Sequence, residues 1–302
     1  MPLQEKVKVL TAAEGRARAR AHLERVRAWT GPHRLRASRG EKHPVWDFLF
    51  DYYAFRPSAL ERWHPGPDEV VLDDAGVPVP KPAVPPARRE FTRWLRDLLR
   101  RMEERPAFFG CHGLHEWAMV YRQPEGDVRH GGVPLRFPPA ALAAVVEALP
   151  VRCTHFDAFR FFTAEARPLN RLRPERARVP ELEQRGCLHA NMDLYKWAFK
   201  LAPFAPSELI ADCFELARDI RAVDMRASPY DLAALGFPAI RIETPEGRAD
   251  YERRQRDFET RGVPLRSRLI ALCEALLHSE GDASPRAAAA SGHAQETHVS
   301  AL

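Results

Sequence analysis

The sequence predicts a mainly α fold: a single helix-rich domain with one or two small β elements. Two observations carry that prediction. Apolar residues recur at helical spacing in most segments long enough to test, as in Phe91, Trp94, Leu95, Leu98 and Leu99. Strand-like alternation is confined to short stretches, chiefly "EVVLDDAGVPVP". The chain has 302 residues, 45% hydrophobic and 29% charged, the balance of a soluble protein with a substantial core. The expected layout is an N-terminal extension over 1–10, one helical domain over 11–280 and a disordered tail over 281–302. The tail, "GDASPRAAAASGHAQETHVSAL", is of low complexity.

Each element has its own signal. Thr11-Ala-Ala-Glu14 has capping-box spacing and should open a basic helix that Gly31 stops. "HPVWDFLFDYYAFRP" begins with a proline suited to a first helical turn and places Trp46, Leu49, Phe50 and Tyr53 on one face. Ser58 to Glu61 has the spacing of a second capping box. A small hairpin is expected to turn near Asp74-Ala75-Gly76. Helices are expected over 88–104, from Leu114, and between Pro138 and Pro150. Val151 to Phe162 should begin as a strand and turn helical, and 167–186 reads as a polar loop. Further helices are expected at about 188–201, 207–223, 229–235, 246–260 and 264–279.

Composition narrows function. A net charge of +5 and a pI near 9.1 are compatible with a phosphate-bearing partner such as DNA. The N-terminus lacks the apolar stretch of a signal peptide, and no apolar run reaches the length of a membrane span, so a cytoplasmic protein with reduced thiols and no membrane partner is expected. There is no dinucleotide fingerprint after a strand, no phosphate-binding P-loop and no CxxC pair, so no nucleotide cofactor is expected and a zinc finger is disfavoured.

The chemistry-bearing groups gather in three segments with one habit. Cys111-His112, Cys153-Thr154-His155 and Cys187-Leu188-His189 each set a cysteine beside or two before a histidine, and Glu116, Asp157 and Asp193 follow closely. Each segment sits where a loop enters a helix, so convergence of those entrances would gather the groups in one cleft. In "CHGLHEWAMVYR", His112 and His115 are three apart and Glu116 is four from His112, a spacing that lets one helical face offer several metal ligands. In "CLHANMDLYKWAFKL", His189 and Asp193 are four apart and can serve one site, while Asn191 can both donate and accept. In "DMRASPYDL", Asp224 and Arg226 bracket a helix exit, and a structural pairing of the two is the simpler reading.

The strings "HPVWDFLFDYYAFRP", "GLHEWAMVYR", "CTHFDAFRFF", "CLHANMDLYKWAFKL", "DMRASPYDL" and "IETPEGRADYERRQRDFETR" together resemble a bacterial family commonly named 3-methyladenine DNA glycosylase, over most of residues 12 to 270. The resemblance implies a reaction class, hydrolysis of the N-glycosidic bond of an alkylated purine in DNA. The helix-hairpin-helix loop of the best-known helical glycosylases is not found in the sequence, so no residue role carries over. Base excision needs an aromatic pocket and a carboxylate at the sugar. On that reading Trp46, Tyr52, Tyr53 and Trp117 would form the pocket, with Asn191 and Arg226 also holding substrate. Asp193 or Asp157 would be the carboxylate, and His112 and His189 the proton donors.

The alternative is a helical metal-dependent oxidoreductase, of the non-haem iron or dinuclear kind, acting on a small molecule. It uses His112, His115, Glu116, His155 and His189, with Asp157 and Asp193, as ligands to a divalent metal ion.

Overall fold

The helix that carries His189 and Asp193 is enclosed over most of its length. In the computed structural model, which describes residues 7–123 and 132–278, it spans Leu188–Lys200 (α9) and buries nearly every side chain from Leu188 to Ala198. A helix enclosed all round needs partners on all sides. They are α10, Ser207–Ala227, and α11, Pro245–His278, with α4, Pro86–Glu104, packed on α11. The remaining helices close this framework: α1 (Ala12–Ser38), α2 (Phe48–Tyr53), α3 (Pro57–Leu60), α5 (Leu114–Ala118), α6 (Pro139–Ala148), α7 (Phe156–Phe159) and α8 (Val179–Leu182). The result is the mainly α single domain that the periodicity predicts, with one two-stranded sheet among the described residues. Among the described residues, no helix is long and apolar enough to cross a membrane.

Several boundaries differ from the sequence expectation, each for a tertiary reason. The capping box at Thr11 and Glu14 forms, but α1 runs on past Gly31 and through Pro32 to Ser38. Glycine costs about 1 kcal/mol and proline about 3 kcal/mol inside a helix. Long-range ties offset this: Thr30 donates to Glu61 at 2.6 Å, and His33 and Arg36 both engage the buried Asp47 carboxylate. Likewise α11 is one helix rather than two, because Tyr251, Gln255 and Phe258 before Pro264 and Leu265, Leu269, Leu272 and Leu276 after it bury one continuous stripe. Arg261–Asp219 and Arg268–Asp212 ion pairs then lash it to α10.

Ser58 caps nothing: the N-cap of α3 is Arg56, with Pro57 in the first turn. The segment after Val151 enters α7 without a strand, and 229–235 forms only a short 3-10 turn at Ala233–Leu235. Residues 8–10 are no mere extension. They form β1 (Lys8–Leu10), paired in parallel with β2 (Glu69–Val71). The chain does turn at Asp73–Val77, where Asp73 accepts from the backbone N–H groups of Ala75 and Val77, but its return leg holds only a single bridge, Leu72 to Pro78. The expected tail over 281–302 lies outside the described residues.

Candidate metal centre

Three helices and two helix-flanking positions bring six titratable side chains together in the buried middle of the molecule. The first group is His115 from α5, His189 from α9 and Asp224 from the last turn of α10; the second is His155 at the entrance of α7, Glu183 just after α8, and Asp193 one turn along α9 from His189. Within each group, one nitrogen or oxygen atom per residue can be chosen so that all three lie within 4.8 Å of one another. The two groups touch through His189. Its ring meets His115 edge to face with centroids 4.4 Å apart, and stacks on His155 with centroids 5.2 Å apart.

Local chain geometry aims each group. Cys111 and Leu114 close a tight turn, Leu114 N–H donating to the Cys111 carbonyl at 3.0 Å, with left-handed backbone at both central residues, His112 at φ 45° and Gly113 at φ 72°. Two successive positive φ values define the hairpin-type turn for which glycine is favoured, and histidine is among the residues that tolerate the left-handed region. Gly113 has a second reason: a Cβ there would come within 3.3 Å of the Tyr251 ring. This turn swings the chain so that His115 and Glu116 point into the core. Asn170 clamps the strand-like approach to His155 by bonding both the N–H and the carbonyl of Cys153. Glu183 is held at its carbonyl by Arg105, and the next residues are pinned by Gln184, whose side chain bonds both backbone groups of Phe108. Gly186 lies against that same stretch, where a Cβ would sit 2.8 Å from the Phe108 carbonyl.

Charges within the centre are almost balanced by protein groups. Asp224 lies 3.0 Å from His115 Nε2 and 3.0 Å from Arg221 Nη1, and Arg221 also holds Glu116 at 2.9 Å. In the second group His155 Nε2 stands 3.1 Å from Asp193 and 3.3 Å from Glu183. Lys196 bonds Asp193, and Tyr53 donates to its other oxygen at 2.6 Å. Burial opposes charge on Asp193 and Asp224, but the neighbouring cations outweigh it and hold both carboxyls well below the usual range. Burial alone would depress His115 and His155; the facing carboxylates raise both above the ordinary imidazole value. His189 goes the other way. Burial, reinforced by His115, keeps it well below that value and therefore neutral. Burial pushes Glu183 upward.

The donor set fits a divalent cation. His115 Nε2 and Asp224 Oδ1 are buried and face each other at 3.0 Å, while His155 Nδ1 and Glu183 Oε2 are buried with no hydrogen-bond partner among the described residues. A buried polar atom without a partner costs about 1–3 kcal/mol. Imidazole with carboxylate is the ligand chemistry of iron, manganese and zinc, and two histidines with one carboxylate, as in the first group, is the ligand set of non-haem iron sites. Beside His115 and His189 lies a cavity of about 20 Å³, room for one water molecule, whose wall includes Cys111, Cys153 and Cys187. These thiols are protonated: burial raises all three, Cys153 to about 12.

Of the residues singled out in the sequence, His115, His155, His189 and Asp193 meet at the centre. Asp157 sits at its edge, 3.4 Å from Lys196 and 3.2 Å from Arg160. Glu116 is turned to Arg221. His112 stands apart, carried away by its left-handed backbone and set edge-on to Tyr251. Tyr53 reaches the centre, but as a donor to Asp193. Trp117 is fully buried and donates to the Ala227 carbonyl at 2.9 Å; Asn191 bonds the Arg185 and Cys187 carbonyls and accepts from Arg266. Trp46 packs under Arg218 and against Phe237. Arg226 does not pair with Asp224 but donates to the Pro238 carbonyl at 2.8 Å. Two members were not anticipated as site residues. Glu183 lies in the stretch read as a polar loop. Asp224 was visible as a charged residue among the apolar positions of α10, with Arg221 one turn before it.

Comparison of the chain with protein-family models, with curated proteins and with solved structures returned no match.

Proposed function

We propose that the chain is a metal-dependent oxidoreductase of the dinuclear non-haem kind, holding one divalent ion at His115, His189 and Asp224 and a second at His155, Glu183 and Asp193. The observation that carries this reading is the pair of buried imidazole–carboxylate triads sharing the His189 ring contact, with unpartnered polar atoms on His155 and Glu183. Such metals supply redox and Lewis-acid chemistry when bound. The chain's own residues would do the rest. Arg221 and Lys196 would hold Asp224 and Asp193 ionised for ligation, Tyr53 would fix the orientation of the Asp193 carboxylate, and the apolar shell of α9 and α10 would keep bulk water from the centre.

Elemental analysis of protein purified without a histidine tag tests this. The expected result is stoichiometric iron, manganese or zinc, removed by chelator and restored by the ion. The N-glycosylase activity implied by the sequence resemblance makes the opposite forecast. Protein free of metal that releases 3-methyladenine from alkylated DNA, and keeps doing so in chelator, would overturn the metal reading and move attention to Asp157 and Asp193 as the carboxylate at the sugar.

A further inference from the structure

A cleft of about 710 Å³ opens on the far side of α2 from the second triad, within the size range of small-molecule sites. One of its walls is aromatic. Phe48 and Tyr52 line it and stack on each other, centroids 5.0 Å apart and planes 9° from parallel; Phe161 stands edge-on to Tyr52 at 6.5 Å. A parallel ring pair with a third ring edge-on offers a planar guest both a face and an edge.

The polar lining is mostly donor. Arg160 lies over the Phe161 ring at 4.2 Å, spends its Nε on Asp157 and reaches the Tyr52 hydroxyl, while its side chain stays exposed at the mouth of the cleft. Lys42 has no ion-pair partner among the described residues. His43 accepts two backbone N–H groups at Nδ1, from Val45 and Trp46, each at 3.2 Å, so its ring hydrogen must sit on Nε2 and donate. Among the described lining residues Asp51 is the one carboxylate, against the two permanent cations Lys42 and Arg160.

Only one layer of side chains separates this cleft from the proposed centre. Phe48 packs against the Arg221 guanidinium at 3.7 Å, and Arg221 holds Asp224. Tyr52 approaches the Asp157 carbonyl at 3.5 Å, Asp157 neighbours Lys196, and the adjacent Tyr53 bonds Asp193.

We infer that this cleft is the substrate site and that it takes a planar aromatic carboxylate, its ring against Phe48 and Tyr52 and its anion on Arg160 and Lys42. As a substrate assignment this rests on the two-metal reading; as a binding site it stands or falls separately. The probes are 2-naphthoate and the uncharged 2-naphthalenemethanol, titrated calorimetrically into the full chain, with metal content measured on the same samples. Saturable naphthoate binding is expected, with the alcohol at least tenfold weaker. Arg160→Gln and Lys42→Gln should each weaken naphthoate several-fold, with metal content and melting temperature unchanged, since both side chains are exposed. Equal binding of the two probes, no saturation, or indifference to both substitutions would overturn the assignment. Charge-dependent naphthoate binding by protein that never takes up metal would keep the aromatic anion site and sink the two-metal reading instead.

Discussion

The imidazole of His189 stacks on that of His155, centroids 5.2 Å apart and planes 25° from parallel, although the two lie on different elements and in different triads. The stacking makes His189 the shared wall of the centre, and its neutral state leaves a ring nitrogen ready to ligate without first losing a proton. His189→Ala is therefore expected to abolish metal binding at the first triad and to weaken it at the second, where the ring's support is lost. Elemental analysis with circular dichroism checks this: metal should fall while helicity stays. Wild-type metal content in the variant would remove His189 from the ligand set.

His112 supplies the contrasting case. It is as close in sequence to the cluster as His115, yet its backbone sits at φ 45° and its ring faces Tyr251. Asparagine accepts left-handed backbone at least as readily. His112→Asn should leave metal content intact and shift stability by less than about 1 kcal/mol, whereas His115→Asn should lose metal. Loss of metal in both variants would mean that the turn rearranges to bring His112 inward.

Proton linkage gives a third expectation. His115 and His155 carry pKa values raised above the ordinary imidazole value by facing carboxylates, so each must surrender a proton to become a ligand. Their contribution to apoprotein stability is full below about pH 6.5 and is lost as pH rises through the folded values. His189, depressed, contributes in the opposite sense, with stability present above about pH 6.5 and lost as pH falls. Asp193 and Asp224 are also depressed, so their contribution holds above about pH 3.9 and is lost only as pH falls through their folded values. Metal binding should release protons near neutral pH, and the rise in melting temperature caused by metal should be larger at about pH 8 than at about pH 6. Calorimetry in buffers of different ionisation enthalpy measures the proton count directly. A pH-independent metal effect with no proton release would show that neither histidine ligates.

Much of this centre is legible in the sequence, and the unread part has a physical cause. His189 and Asp193 are four apart on one helix, a relation fixed by helical geometry alone. That His115 and His155 would join them was suggested by their places at helix entrances, which only chain packing could bring together. Asp224 could not be assigned from spacing, because α10 is buried over most of its length and its inward face toward α9 is set by the α9–α10 contact. The nearby Arg226 looked like its partner, but it is two residues on and thus on another face, while Arg221, three residues back, is the one that reaches it. Glu183 sits in a segment without periodicity, held by Arg105 from α4 and by the Gln184 clamp on Phe108, neither of which has a local signature. The same limit explains α1 and α11, whose continuation through Pro32 and Pro264 depends on ion pairs and stripes contributed by distant elements.

Arg221 tests whether a divalent ion belongs beside Asp224. The guanidinium is 1% exposed and is ion-paired to both Glu116 and Asp224. Replacing it by methionine keeps much of the apolar stem packing but leaves two buried carboxylates to face only His115. Breaking a buried pair by removing one partner costs about 3–5 kcal/mol, which for a domain of this size corresponds to roughly 6–20 °C in melting temperature. A metal ion ligated by Asp224 would return positive charge to the same place, so the metal-loaded variant should recover several degrees relative to its own apoprotein, more than wild type gains. Adding Glu116→Gln to Arg221→Met should also restore part of the loss without metal, by removing one uncompensated charge. Thermal unfolding of the three proteins, with ion and with chelator, checks both statements. If Arg221→Met loses the same stability with and without metal while the double variant recovers, Asp224 is a structural counter-ion of Arg221 and the first triad holds no ion.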